Sequence, residues 1–408
     1  MPRAVRRCRR SRHERAARAR ARGRTRRARM TATKVHVHLF YGADPRTYRK
    51  GDNIGCLYGY HHAESDEFRL TYSADRREPR VVGIARRALK AALGFDIVHA
   101  WRNRAALLNA DVIWTHTEQE HLAAALILKL AGAQGKRPLL LAQSVWLFDK
   151  WQSFGGPRRW LYRKLLARAD VLTTLARDNA ALCRRYLGRD AEFVYYGLNT
   201  QDFPIRDPQP WQPHRPLRIA AIGNDRDRDW RTFLAAFGGD ERYEVRLATR
   251  RRVPRAWHAP NVAIGSASGL AKQHELYAWA DVIVVPLRPN FHASGITVML
   301  EAAALGKPMI VSDVGGLTDY FPHDTAAYVP PFDAQAMRDA ADRFAAEPLA
   351  ALACARAAVE RLRACDLTTQ AFAEQHVRIT RELLRRRRTP AAAAGVAMPL
   401  ADSRPSSR

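Results

Sequence analysis

The chain has no uninterrupted apolar run approaching the roughly 18 residues that a membrane-spanning helix requires, so its body reads as soluble or bound to a membrane only at the surface. Cysteine is sparse. The five residues, Cys8, Cys56, Cys183, Cys354 and Cys365, are odd in number and show neither CxxC nor Cys/His metal spacing. That excludes a disulfide scaffold and a thiolate metal site, and it fits a reducing cytoplasm. Acidic residues are outnumbered: 40 Asp and Glu stand against 68 Lys and Arg, for a net charge of +28 over 408 residues. The excess lies at the ends. Residues 1–29 hold 14 Arg and one Glu, residues 385–408 hold six Arg and one Asp, and the 355 residues between carry only +10. Residues 1–29 lack the apolar core of a signal peptide and are expected to form a disordered basic extension. Met30, just ahead of the strand-like KVHVHLF, reads as the start of translation. The alternative is a basic arm that holds anionic lipid or nucleic acid electrostatically. No basic motif studded with aromatics accompanies it, so no nucleic-acid partner is expected.

What is present is enough chain for two domains, each with its own core. The first, 30–203, opens on an alternating strand over Lys34–Phe40 and a loop, Tyr41–Gly55, with Gly51 and Gly55 as turn glycines. Arg80–Leu93 has helical periodicity, with Val81, Val82, Ile84, Ala85, Ala88, Leu89 and Leu93 apolar and Arg86, Arg87 and Lys90 basic. Such a helix can lie on an anionic membrane or turn its stripe to the core. Ala110–Thr115 reads as a buried strand, followed by His116 and a helix from about Gln119 to Leu130. Strands at Leu139–Gln143, Val171–Leu175 and Phe193–Tyr196 follow, with a second basic amphipathic helix at Arg158–Arg168. The aromatic segment SVWLFDKWQSF after Leu139–Gln143 suits a sugar acceptor, through Trp146, Asp149 and Lys150, or core packing by Trp146, Phe148 and Trp151. Prolines in PIRDPQPWQPHRP mark 204–216 as a linker. The second domain, 217–367, restarts with the strand Leu217–Ile222, the turn Gly223-Asn224 and a helix from about Asp229 to Phe237. An amphipathic helix is expected over 368–388, and an Ala-, Pro- and Ser-rich disordered tail over 389–408.

The most informative stretch is 282–316. Val282–Val285 and Met309–Val311 read as strands buried on both faces, with one helix between them that opens near Ser294-Gly295 and carries Glu301 about two turns on. The backbone N–H groups of Ser294, Gly295, Ile296 and Thr297 would face an anion at the positive helix end, and Gly315-Gly316 make a second tight turn. A carboxylate at Glu301 can accept from two vicinal ribose hydroxyls. Together these features describe a nucleotide-sugar pocket.

These residues resemble the donor-binding region of retaining glycosyltransferases with the GT-B fold, family-4 type, the glycosyl transferases group 1. The resemblance spans roughly residues 34–384 and is denser in the second half. It implies an α/β protein of two Rossmann-like domains facing across a cleft, with the C-terminal helix crossing back to the first domain. It also implies that Glu301 holds the ribose and that His116 contacts the donor sugar from the opposite domain. The family has a second glutamate eight positions before Glu301, and this chain has Ala293 there; sugar recognition then falls to His292, Ser294, Thr297 and backbone amides.

The turn GNDRDRDW admits three readings. In the resemblance an Arg and a Lys after this strand neutralise the departing diphosphate; here Asn224 replaces the Arg, while Arg226 and Arg228 lie near the Lys position, with Arg228 preferred for its bidentate fork. Alternatively the arginines pair with Asp225, Asp227 and Asp229 at a charged helix start, Asp229 being the N-cap. A metal site on those aspartates, like the DxD pair of the other glycosyltransferase fold, is disfavoured by the alternation with Arg, and a calcium loop fails because Trp230 stands where Gly is needed and Ala236 where Glu is needed. No metal and no cofactor beyond the nucleotide-sugar co-substrate is expected. The implied activity is metal-independent, retaining hexosyl transfer to a saccharide or lipid-linked acceptor in envelope or exopolysaccharide synthesis. The enzyme would be cytoplasmic, peripheral on the inner face of the plasma membrane. The alternatives are a catalytically silent sugar-nucleotide scaffold and a nucleic-acid binder that uses the basic ends.

Overall fold

The structure, a computed structural model, describes residues 32–45, 56–132 and 137–388. The basic extension 1–29 with Met30, the turns at Gly51 and Gly55, and the tail 389–408 lie outside these residues.

Two parallel six-stranded sheets form, one in each half. The first has the order β2-β1-β3-β4-β5-β6, built from β1 (Thr33–His38), β2 (Phe68–Tyr72), β3 (Val112–Thr115), β4 (Leu139–Ser144), β5 (Val171–Thr174) and β6 (Glu192–Phe193). The second has the order β12-β11-β10-β7-β8-β9, from β7 (Leu217–Ile222), β8 (Tyr243–Ala248), β9 (Val262–Gly265), β10 (Val282–Val285), β11 (Met309–Ser312) and β12 (Ala327–Val329). The strands expected from continuous apolar runs are the central ones, because only a strand covered by helices on both faces can be apolar throughout; β3, β10 and β11 are buried at every position.

Two strand ends differ from expectation for local reasons. β1 stops at His38 because the Leu39 N–H donates to Ser73 Oγ (3.0 Å). β6 stops at Phe193, short of Tyr196, because the Tyr195 N–H and C=O are both taken by the Gln375 side chain. Gln375 belongs to the last helix, Thr369–Arg388, which crosses back as expected. Phe372, Ala373, Ile379 and Leu383 on that helix share a core with Val35, Val37 and Trp114 of the first sheet, and Trp114 Nε1 donates to Thr380 Oγ1 (2.9 Å).

Helix α1 (Arg80–Leu93) occupies the span that the periodicity indicates, but its stripe points outward. Val81 is 76% and Ile84 59% exposed, with Val82 and Leu89 beside them, while Arg86 turns inward between Glu78 and Asp96. An arginine enclosed by two carboxylates fixes the rotation of the helix, because breaking that buried pair costs more than exposing a few aliphatic side chains. Helix α2 (Ile97–Arg102) follows, with Asp96 as its N-cap. After α3 (Glu118–Leu130), helix α4 (Gly156–Leu166) docks on the end of α1: Arg158 Nη2 donates to Ala92 O and Tyr162 Oη to Leu93 O. Trp160 on α4 is 62% exposed. The two basic amphipathic helices thus form one surface. Among the described residues, no helix is long and apolar enough to cross a membrane.

The first domain also buries an unusual number of imidazoles. His36 and His38 of β1 stack in series with His99 of α2, and His116, His121 and His376 are buried on other elements.

Candidate functional site

The carboxyl ends of β7, β8 and β9 and the helix that follows β10 surround a cavity of about 520 Å³, a usual size for a small-molecule site. Its lining includes Gly223, Asn224, Arg228, Arg250, Thr297 and Glu301. Each is placed by the local sequence. Asp229 caps helix α5 (Trp230–Phe237) as expected, accepting from the Thr232 N–H (3.3 Å). That fixes the preceding turn and directs Arg228 inward. Helix α6 (Leu270–Trp279) brings Gln273 to the wall and sets Tyr277 behind it, against Glu301. Helix α7 (Ile296–Ala304) starts at Gly295, close to where the sequence places it.

Arg228 is 6% exposed, and its Nε and Nη1 have no hydrogen-bond partner among the described residues. Burial lowers its pKa, while Asp225, Tyr277 and Glu301 act to hold the charge. The glycines of the two anion-facing turns have a reason beyond the ligand. A Cβ at Gly223 would lie 2.3 Å from Arg228 Nε; at Gly295, where φ is +92°, it would lie 2.7 Å from Val285 Cγ1 and 3.1 Å from Arg228 Nη1. The glycines therefore frame the guanidinium.

Glu301 is 7% exposed and stands where this cavity meets a second one of about 270 Å³. Burial pushes its pKa up to about 7, against the hydrogen bond that Tyr277 Oη donates to Oε2 (2.6 Å) and against Arg228. The second cavity reaches the other domain and is lined there by Tyr58, Tyr196 and Thr369.

His116 lies beneath those tyrosines. Its ring stacks on Tyr58 with centroids 3.5 Å apart, Nδ1 contacts Tyr60 Oη (3.2 Å) and Gln143 Nε2 (3.3 Å), and burial lowers its pKa to about 3. It is a neutral ring under the cleft floor rather than part of either cavity's lining.

The loop before α7 is ordered by Asn290, whose Oδ1 accepts from the N–H groups of His292 and Ser294. Ala293 adopts φ +55° with its methyl in the core, a strained backbone for a residue other than glycine. Ser294 Oγ is buried, Ile296 is packed in the core, and Thr297 lines the cavity. His292 reaches across the cleft: its Nδ1 and the Phe291 N–H both bond Asp149 Oδ2, at 2.6 and 3.0 Å. Burial opposes a charge on His292, but Asp149 and Asp225 outweigh it and push the pKa up to about 9. Trp146 meets the same ring edge-on, and the Lys150 ammonium lies over Trp146. Phe148 and Trp151 are core residues.

Among the residues expected around the donor, then, Gly223, Asn224, Arg228, Thr297 and Glu301 converge on one cavity. Arg226 is exposed beside Asp227. Gly315 packs against Asn290 O, and Gly316 against Ala176 of the first domain. Sequence reasoning missed Arg250, Gln273 and Tyr277. Arg250 was findable, as a basic residue two positions past a strand on the same sheet edge; Tyr277 was not, because nothing in the sequence ties it to Glu301. A larger cavity, about 820 Å³, lies behind Tyr277 under the linker. Lys307 Nζ donates to Ala280 O and His274 Nε2 contacts Asp202 O, while Arg206 on its lining is exposed rather than buried as Arg228 is.

Residues 219–347 match the profile of the family Glycosyl transferases group 1. No curated protein sequence matches the chain. Among solved structures it is similar to sucrose-phosphate synthase from Thermosynechococcus elongatus, with a TM-score of 0.62 at 19% identity, covering 86% of this chain and 99% of that one. It is also similar to Anabaena HepE in complex with UDP-glucose, with a TM-score of 0.61 at 12% identity over 85% and 99% of the two chains. A third similar structure is the trehalose 6-phosphate synthase from Burkholderia multivorans, with a TM-score of 0.61 at 14% identity over 88% and 98%. At these identities the likeness is one of fold, and the fold is GT-B.

Proposed function

We propose that this GT-B chain, whose second domain carries the sequence pattern of the glycosyl transferases group 1, moves a sugar from a nucleotide-diphosphate sugar to an acceptor hydroxyl. The observation that carries the reading is Arg228, a buried guanidinium with unpartnered donors at the strand ends, facing a cavity that also holds Glu301. HepE, similar in fold, is known in complex with UDP-glucose. Glu301 accepts from the ribose, while Arg228 bears the diphosphate charge; of the N–H groups expected to face it at the start of α7, those of Ser294 and Ile296 are instead taken by Asn290 Oδ1 and Ala293 O. As the bond from the anomeric carbon to the phosphate oxygen breaks, the acceptor oxygen bonds that carbon on the same face and its proton passes to the departing phosphate. The configuration is retained, and no metal enters the transfer. Arg228 stabilises the charge that develops on the leaving group. Tyr58 and Tyr196 offer aromatic faces to the sugar from the opposite side of the cleft, and Trp146, with the Lys150 ammonium over its ring, is placed for the acceptor.

A thermal-shift series over nucleotide sugars tests the reading. A true donor at a hundred times its Kd stabilises the folded state by about 2.7 kcal/mol. Glu301→Ala is expected to weaken that donor about 10- to 100-fold, the worth of hydrogen bonds to a charged acceptor; unchanged affinity would refute the ribose role. Ala293 favours a second reading, a silent sugar-nucleotide scaffold. Slow donor hydrolysis by the purified protein, absent in Arg228→Ala, separates the two.

The acceptor belongs to envelope or exopolysaccharide synthesis and is lipid-linked or itself a saccharide on this proposal, with the enzyme resting on the inner face of the plasma membrane. The supporting observation is the outward apolar stripe of α1 flanked by Arg87, Lys90 and the exposed Trp160 of α4. Vesicles of anionic lipid should bind the protein in a salt-sensitive way, and Val81→Glu with Ile84→Glu should weaken binding at least about tenfold. Equal binding by the double variant would rule out this surface.

A further inference from the structure

Asp225 and Asp227, on the turn between β7 and α5, converge with His292 from the loop after β10. We propose that these three side chains form a binding site for a divalent transition-metal ion, oriented by Asp149 from the opposite domain. The ligand atoms lie within 4.8 Å of one another, with His292 Nε2 at 3.5 Å from Asp225 Oδ2 and 3.7 Å from Asp227 Oδ2. His292 is 4% exposed, and its Nε2 has no hydrogen-bond partner among the described residues although it points at two carboxylates.

The other ring nitrogen is held as metal-binding histidines usually are, by a carboxylate: Nδ1 bonds Asp149 Oδ2 at 2.6 Å, which fixes the tautomer that leaves Nε2 as a ligand. Asp225 is similarly prepared, since its Oδ1 accepts the Asp227 N–H (3.0 Å) and its Oδ2 is turned to the cluster. Both carboxylates are partly exposed, which gives an ion a route in. A cation bound at Nε2 replaces a proton there and leaves the Nδ1 hydrogen bond intact.

The donor set of one imidazole and two carboxylates selects among metals. Calcium and magnesium prefer oxygen alone, whereas Mn²⁺, Co²⁺ and Zn²⁺ accept mixed nitrogen and oxygen ligands. Neither Asp225, Asp227 nor His292 lines the cavity that holds Arg228 and Glu301, so the site is separable from the proposed transfer. Its place suggests its effect. An ion here ties the β7–α5 turn to the loop ahead of α7, and through His292 and Asp149 it braces the cleft between the domains.

The test is direct binding of Mn²⁺ and Co²⁺ to the full chain after chelator dialysis, without any nucleotide sugar, read by calorimetry and by the visible absorbance of Co²⁺. One ion per chain is expected, with affinity reduced at least tenfold by Asp227→Asn and by His292→Gln, and about 10- to 100-fold by Asp149→Asn. Asp227 is partly exposed and caps no helix, so its variant should keep the thermal midpoint of the metal-free protein and remains informative if His292→Gln folds poorly. Absence of binding by the parent protein, or binding that Asp227→Asn leaves unchanged, overturns the site.

Discussion

Arg228→Met is expected to cut transfer by about 10²–10³-fold or more while making the ligand-free protein more stable. The first effect follows from removing a preorganised donor to a leaving-group charge. The second follows from the same burial. Arg228 is enclosed, two of its nitrogens lack partners among the described residues, and its pKa is lowered by desolvation. An apolar chain of similar length removes that desolvation, for a gain of about 1–3 kcal/mol, as when other buried charges are replaced by hydrophobic side chains. Gly223 and Gly295 leave room for the thioether as they do for the guanidinium. Arg228→Lys should restore only part of the activity, because a point charge cannot grip two phosphate oxygens. Turnover within tenfold of the parent in Arg228→Met would remove this residue from the mechanism. A lowered thermal midpoint would show that the guanidinium holds the site together rather than waiting for a ligand.

The protein should lose stability between pH 6.5 and 5. Burial lowers the pKa of His36 and His376 to about 4 and of His116 and His121 to about 3, and it lowers His38 and His99 as well. These folded-state values lie below the unfolded value of 6.5, so acid favours the unfolded chain. The stability is present in full above 6.5 and is lost as the pH falls from there through the folded values. At pH 5 each imidazole with a folded pKa of 4 or less costs about 2 kcal/mol. Four such groups are large against the stability of a typical protein, about 5–15 kcal/mol, and are offset in part by Glu120 and Glu301, whose pKa values burial raises to about 7 and which therefore favour the folded chain as the pH falls. All six imidazoles pack in or against the first domain, so that domain should unfold first. Urea midpoints at pH 7, 6 and 5, with amide hydrogen exchange of β3 around Trp114 reporting the first domain, measure the effect. A midpoint flat across that range would mean that the imidazoles are hydrated or paired in solution.

The pattern of success in the sequence reading has a physical basis. β10, β11, β7 and α5 were legible because a strand covered on both faces must be apolar at every position and a capped helix must announce its cap, as Asp229 does. The pairing of Glu301 with Arg228 in one cavity was also legible, since Arg228 follows one strand end and Glu301 lies on the helix that follows another at the same sheet edge. The rotation of α1 was not. Its apolar positions fit a core-facing stripe, and only the placement of Glu78 and Asp96 on either side of Arg86 turns that stripe to solvent. His116 was legible as a residue at a strand end, yet its cover by Tyr58, which comes from a loop more than fifty positions earlier, was not.

The sequence by itself determined the two-domain α/β plan, the amphipathic C-terminal helix and the strand ends on which a donor site must lie, because periodicity, caps and breakers act within a few residues; that this helix crosses back to the first domain was implied by the family resemblance. Tertiary structure alone decided which side chains have partners. It left the guanidinium of Arg228 unpartnered, set His116 beneath a tyrosine, and joined Asp149 to His292 and, through it, to Asp225 and Asp227 across the cleft. The charge state and reach of each group depend on burial and on neighbours distant in the chain, 143 positions apart for Asp149 and His292, and no local pattern encodes those.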